Sequence, residues 1–183
     1  GGMAMGGMTH ANDVKFDAYL ANDRTLDDPE VVQVDPGARV RLRIINGATA
    51  TAFWIDPGVL ASACIATDGG ACMPMAAAAY PIAQGQRLDL IVTVPAEGGA
   101  FPIFAQVEAM RLRTGIILAT AGAKVVAQAG EAAAESPYLD SQFDAGLVPV
   151  SPLPVRAATR TAHLMLGEEP GYRFTINGKV HGE

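Results

Sequence analysis

A chain of 183 residues and 18.9 kDa is long enough for one well-cored domain with appended arms and short for two independent ones. Hydrophobic residues make up 50% of it but aromatics only 6%, so the expected core is aliphatic. No stretch approaches the roughly 18 consecutive apolar residues that cross a bilayer, which predicts a soluble chain, and a formal net charge of -6 argues against a nucleic-acid partner.

Residues 1–13 are rich in Gly and Met without periodicity and read as a flexible lead-in. No secretory leader is visible there, and Met3, Met5, Met8 and His10 form the one cluster of soft metal donors in the chain. Thioethers with an imidazole suit Cu(I). A mobile tail loses entropy on closing around a metal, so the plainer expectation is a linker.

From Val14 the period becomes two. In the stretch Arg39 to Ile44, Val40, Leu42 and Ile44 point one way and Arg39, Arg41 and Arg43 the other, the pattern of a strand with one wet face. Arg87 to Val94 repeats it, with Leu88, Leu90, Val92 and Val94 on one side; these seven aliphatics are the first expected core. Further strands are expected at Val14 to Leu20, Val31 to Val34, Ala52 to Asp56, Leu60 to Ala66, Tyr80 to Ala83, Phe101 to Glu108 and Thr114 to Thr120. Turn signals separate them: Asp35-Pro36-Gly37, Asp56-Pro57-Gly58, Asp68-Gly69-Gly70, Gln84-Gly85-Gln86 and Glu97-Gly98-Gly99. Short strands at such spacing predict an all-β antiparallel sandwich or barrel.

Three features of this body admit two readings each. Cys64 and Cys72 are equidistant from Asp68; across a hairpin with a three-residue loop they face each other, as a disulfide or as two buried thiols. The Arg39, Arg41, Arg43 stripe is expected to be a solvated face, with contact to a neighbouring domain as the alternative. Asp89 either pairs with a strand arginine or is an exposed polar position, and the alternation favours the second.

Beyond Ala127 the texture changes. Ala129 to Ala134 has the composition of a helical turn, and Ser136 to Pro154, punctuated by four prolines, is expected to lie extended over the domain. Leu164 to Leu166 is a possible edge strand, with His163 beside it as a surface or packing residue, and Glu168 and Glu169 are expected in a solvated loop. Tyr172 to Ile176 alternates like a strand and is followed by an Asn177-Gly178 turn.

The ordered set Tyr19-Leu20-Ala21-Asn22-Asp23-Arg24, Pro36-Gly37-Ala38-Arg39-Val40-Arg41-Leu42-Arg43-Ile44-Ile45-Asn46, Ala66-Thr67-Asp68-Gly69, Gly85-Gln86-Arg87-Leu88-Asp89 and Arg113-Thr114-Gly115 resembles the middle cupredoxin domain of three-domain multicopper oxidases. The resemblance implies a cupredoxin-like antiparallel Greek-key β-sandwich at 14–127, a connecting segment at 128–170 packed over it, and the first strand of a following domain at 171–183. It further implies that the partners are flanking cupredoxin domains of the same polypeptide, that the location is periplasmic or extracellular, and that copper belongs to the parent enzyme. Such enzymes take electrons from phenolic or metal-ion substrates at a type 1 copper and reduce dioxygen to water at a trinuclear cluster.

The ligands that chemistry needs are missing. Neither cysteine is followed by His, no His-X-His pair occurs, and His10, His163 and His181 all lie outside the sandwich. No residue is therefore expected to be catalytic, cofactor-binding or metal-ligating, and the chain alone is expected to be inactive. Hydrolase elbows, phosphate loops, His-Glu-X-X-His and Cys-X-X-Cys are likewise absent from the sequence. The alternatives are a free-standing sandwich module for assembly and a Cu(I) carrier working through the Met-rich lead-in.

Overall fold

A computed structural model describes residues 16–171 and 173–180. The chain divides into two compact units, one ending at Pro152 and one beginning at Leu153. Among the described residues the first holds nine strands: β1 (Val31–Gln33), β2 (Arg39–Ile45), β3 (Phe53–Asp56), β4 (Ala61–Thr67), β5 (Gly70–Met75), β6 (Tyr80–Ile82), β7 (Arg87–Thr93), β8 (Ala100–Val107) and β9 (Arg113–Ala119). They form a five-stranded sheet in the order β1-β9-β8-β3-β6 and a four-stranded sheet in the order β2-β7-β4-β5.

Between the two sheets lies one aliphatic core. Leu42, Cys64, Leu88, Leu90 and Val92 enter it from the smaller sheet, and Phe53, Ile55, Tyr80, Ile82, Phe101, Ile103, Val107 and Leu118 from the larger. The seven expected aliphatics all take part: Leu42, Leu88, Leu90, Val92 and Val94 are buried, and Val40 and Ile44 pack partly buried beside them. β2 and β7 pair antiparallel over their full lengths, Leu42 opposite Leu90 and Ile44 opposite Leu88, which keeps both apolar stripes on the same face. Both prolines within short strands sit where a missing amide is tolerated, Pro74 in edge strand β5 and Pro81 in edge strand β6. In β9, Gly115 stands so close to β8 that an added Cβ would meet the Ile103 carbonyl oxygen at 2.2 Å, so only glycine fits that crossing.

The arrangement is a cupredoxin-like sandwich, and it corrects the sequence reading in several places. One pair, β1 with β9, is parallel rather than antiparallel. Of the strand expected at Val14 to Leu20, Val14 and Lys15 lie outside the described residues, and Phe16 to Leu20 joins no sheet. A tight turn follows at once, with Ala21 bridging Arg24 and left-handed Asn22 and Asp23, and it draws the backbone off any ladder. Tyr19 instead packs edge-on against Phe16 and Phe53, with ring centroids 5.9 and 5.7 Å away. Ala129 to Ala134 is not helical: Arg113 and Ala132 donate backbone N–H bonds to Gly130 and Arg111 respectively, which ties the segment to the β8–β9 end.

Further on, Ser136 Oγ donates to the Val107 carbonyl at 2.7 Å, Trp54 Nε1 to the Pro137 carbonyl at 2.9 Å, and the short helix α1 (Gln142–Gly146) sets Phe143 edge-on to Tyr80. Residues 148–150 then run along the open edge of β5. Met73 N–H donates to Val148 O at 2.8 Å and Val150 N–H to Ala71 O at 3.0 Å, with Pro149 opposite Cys72. A bare sheet edge is a template for unwanted pairing, and this proline-marked strap covers it.

The second unit is a three-stranded antiparallel sheet, β10 (Leu166–Glu169), β11 (Arg173–Ile176) and β12 (Lys179–Val180). The expected Asn177-Gly178 turn joins the last two, both residues at positive φ (53° and 75°). The edge strand begins at Leu166 rather than ending there, and Glu168 and Glu169 are in β10 rather than in a loop; pairing of Glu169 with Arg173 extends the ladder past Leu166.

Candidate functional site

Three places in the first unit carry features beyond packing. The first is the β4–β5 hairpin with its two cysteines. Its turn is the two-residue Asp68-Gly69, both at positive φ (48° and 85°), with Thr67 opposite Gly70, rather than a three-residue loop. That register alone puts Cys64 and Cys72 on opposite faces. The ladder between β4 and β7 supplies the missing step: Cys64 lies opposite Leu90 but Ala66 opposite Asp89, so Ile65 is a bulge that reverses the alternation. Both side chains therefore turn inward as free thiols, Cys64 wholly buried and Cys72 7% exposed, with their Sγ atoms 3.9 Å apart. Burial first, and then the neighbouring Cys72, pushes the Cys64 thiol up to about 12, so it stays protonated at neutral pH.

The second place is the outer face of β2 and β7. Arg41 Nε donates to Asp89 Oδ2 at 3.0 Å, and Arg43 Nε stands 3.9 Å from the same oxygen. Asp89 is only 13% exposed, so it is a paired carboxylate rather than the open polar position the alternation favoured. The misjudgement has a simple cause: the arginine stems on the adjacent strand lie over a short side chain that the sequence pattern treats as facing solvent. On the same face Arg87 pairs with Asp68 at 3.5 Å, while Arg39 and Ile45 remain exposed.

The third is a cleft of about 460 Å³ between the sheets, lined by Tyr19, Leu42, Ile44, Thr51, Phe53 and Ile116 among others. Nothing in the sequence pattern announces it, since its walls are ordinary core positions. Asn46, buried at one end, is fully engaged: its Nδ2 donates to the Thr51 and Ile82 carbonyls at 2.9 and 3.2 Å, and its Oδ1 accepts from Ala48 N–H at 3.0 Å. Thr51 Oγ1 is buried there with no hydrogen-bond partner among the described residues. Among the described residues that line this cleft the titratable groups are Arg43 and Tyr19, and most of its walls are apolar.

Residues 5–128, more than half of the chain, match the family model described as multicopper oxidase. The chain belongs to the multicopper oxidase family. It is similar to the multicopper oxidase MmcO of Mycobacterium tuberculosis, at 34% identity over 108 residues that make up 59% of this chain and 21% of that protein. Its fold matches the crystal structures of the laccase from Botrytis aclada (TM-score 0.64, 19% identity) and of Fet3p, a multicopper oxidase that functions in iron import (TM-score 0.61, 13% identity). Those two alignments cover 82% and 80% of this chain but only 29% and 30% of the solved ones. The chain thus spans about a fifth of its curated relative and under a third of these solved structures.

Membership of a copper family raises the question of whether the residues present fit a copper centre. A blue-copper site takes two imidazoles and a thiolate. Between residues 16 and 152 the sequence has no histidine, and its two cysteines face each other in a hairpin, one of them held as a protonated thiol. The described residues of the sandwich do not supply that donor set. Among the described residues no three His, Cys, Asp or Glu side chains come together. His163 lies exposed in the second unit, while Met3, Met5, Met8, His10 and His181 lie outside the described residues. No described helix is long and apolar enough to cross a membrane.

Proposed function

We propose that this chain is the copper-free middle domain of a three-domain multicopper oxidase, together with its connecting segments. The observation that carries the reading is the donor set between residues 16 and 152: two facing thiols and the thioethers of Met73, Met75 and Met110, with no imidazole among them. In the parent enzyme, copper and the oxidation of phenolic or metal-ion substrates coupled to dioxygen reduction belong to the flanking domains. The middle domain holds them in register, and the location is periplasmic or extracellular.

The basic outer face supports a contact role, because Arg39, Arg41 and Arg43 present a positive strip on a chain whose net charge is -6. The test compares two products of the same gene after copper loading. A polypeptide extended through both neighbouring domains should turn blue and consume oxygen with a phenolic substrate, while the 183-residue chain should stay colourless and inert. Blue absorbance with turnover in the short chain would defeat the reading.

A further inference from the structure

The cysteine pair is left over by the scaffold role. Two aliphatic residues would fill the same space, yet the Ile65 bulge turns two thiols to within 3.9 Å of each other at the edge of a sheet. Their access to solvent differs. Cys64 lies on β4 inside the sheet, between β5 and β7, and is wholly buried. Cys72 lies on edge strand β5 beneath the strap at 148–150, which is tied there by two backbone hydrogen bonds while Pro149, opposite Cys72, has no amide to donate. Cys72 is thus the thiol on the edge strand and Cys64 the one with a strand on each side.

We propose that Cys64 and Cys72 are a redox-modification site, at which a small disulfide oxidant converts the facing thiols into a β4–β5 cross-link in a fixed order. The Cys72 thiolate attacks one sulfur of the oxidant, forming a mixed disulfide and expelling a thiolate that takes up a proton. Cys64 then gives up its proton and attacks the Cys72 sulfur, expelling the oxidant's second half as a thiol. The chain loses two protons and two electrons, and the oxidant gains both as two thiols. Cys64 is fit for the second step only. Its thiol is held up by burial and by the charge of an ionised Cys72, and the second of these disappears once Cys72 is in the mixed disulfide. The proposal is independent of whether the chain is a copper-free middle domain.

The test incubates the reduced, folded chain with oxidised glutathione, quenches with iodoacetamide and weighs the products. The expected product is a chain lighter by two hydrogens with no adduct, the loss falling on the tryptic peptide Ile44 to Arg87, which contains both cysteines. It should melt above the reduced chain. The order is tested with Cys64→Ser and Cys72→Ser: the first should take up glutathione on Cys72 at least about tenfold faster than the second does on Cys64. Two alkylated thiols after oxidation, disulfides between chains, or equal adduct rates in the two variants would each overturn the proposal. The wild-type mass measurement stands even where a variant fails to fold.

Discussion

In the sandwich, Leu90 has Leu42 opposite it on one neighbouring strand and Cys64 on the other, and it is fully buried. In the β10–β12 sheet, the register places Leu166 opposite Ile176 and Glu168 opposite Phe174, so Leu166, Phe174 and Ile176 share a face. They are 78%, 70% and 53% exposed. Both regions use alternation and both use a two-residue turn with positive φ, so local sequence rules make strands in each. What differs is the second layer. A sheet acquires most of its stability by burying one face, and a lone three-stranded sheet with its apolar stripe in water has not done so.

The contrast is broken most severely from the sandwich side. Leu90→Asp places a charge among aliphatics with no partner within the core, and the expected loss is more than about 4 kcal/mol, enough to abolish the cooperative melt and the β-sheet circular dichroism. An unchanged melting curve would mean that this face is not the core. Tyr80→Ala should cost about 3–5 kcal/mol, measured by urea unfolding, because the ring is fully buried edge-on to Phe143. Its hydroxyl also lies 2.9 Å from Ser62 Oγ and accepts the Ala77 amide at 3.1 Å. Tyr80→Phe separates the two contributions, with an expected loss of about 1–3 kcal/mol from the orphaned Ala77 amide.

A smaller change should go the other way. Thr51 is wholly buried beside the inter-sheet cleft and its hydroxyl has no partner among the described residues, so Thr51→Val removes a desolvated polar group while keeping the branched shape. The expected result is a stabilisation of about 1 kcal/mol, seen as a higher melting temperature. A loss of similar size would show that the hydroxyl is satisfied in solution.

How much of this was legible follows from what each inference needed. The stripes of β2 and β7 were readable because alternation is a local signal, and Asn177-Gly178 was readable because positive φ at both positions has few sequence solutions. Phe16 to Leu20 misled because its alternation is real but the Ala21–Arg24 turn removes the backbone from any ladder. Ala129 to Ala134 misled because helix propensity in a short stretch is a weak prior and backbone partners on the β8–β9 end, the Arg111 carbonyl and the Arg113 N–H, outweigh it. The cysteines met as expected, by a different route: a two-residue turn corrected by a bulge on the far side of β4, set by pairing with a strand some twenty residues away. The Asp89 pairing and the cleft at Thr51 depend on side chains from separate strands, and no single stretch of sequence encodes either.

The last test bears on the exposed sheet itself. Phe174→Ser should leave the melting of the 183-residue chain within about 0.5 kcal/mol of the original, since a residue 70% exposed has little burial to lose. The same substitution in a polypeptide extended through the proposed following domain should cost about 2–5 kcal/mol by urea unfolding, if that domain's core closes over Leu166, Phe174 and Ile176. The pair of measurements matters more than either alone, because a surface aromatic is neutral in both settings and a strand awaiting its second layer is neutral only in the first. Equal, negligible effects would make the β10–β12 sheet a solvated appendage and remove the main physical reason for reading it as the start of another domain.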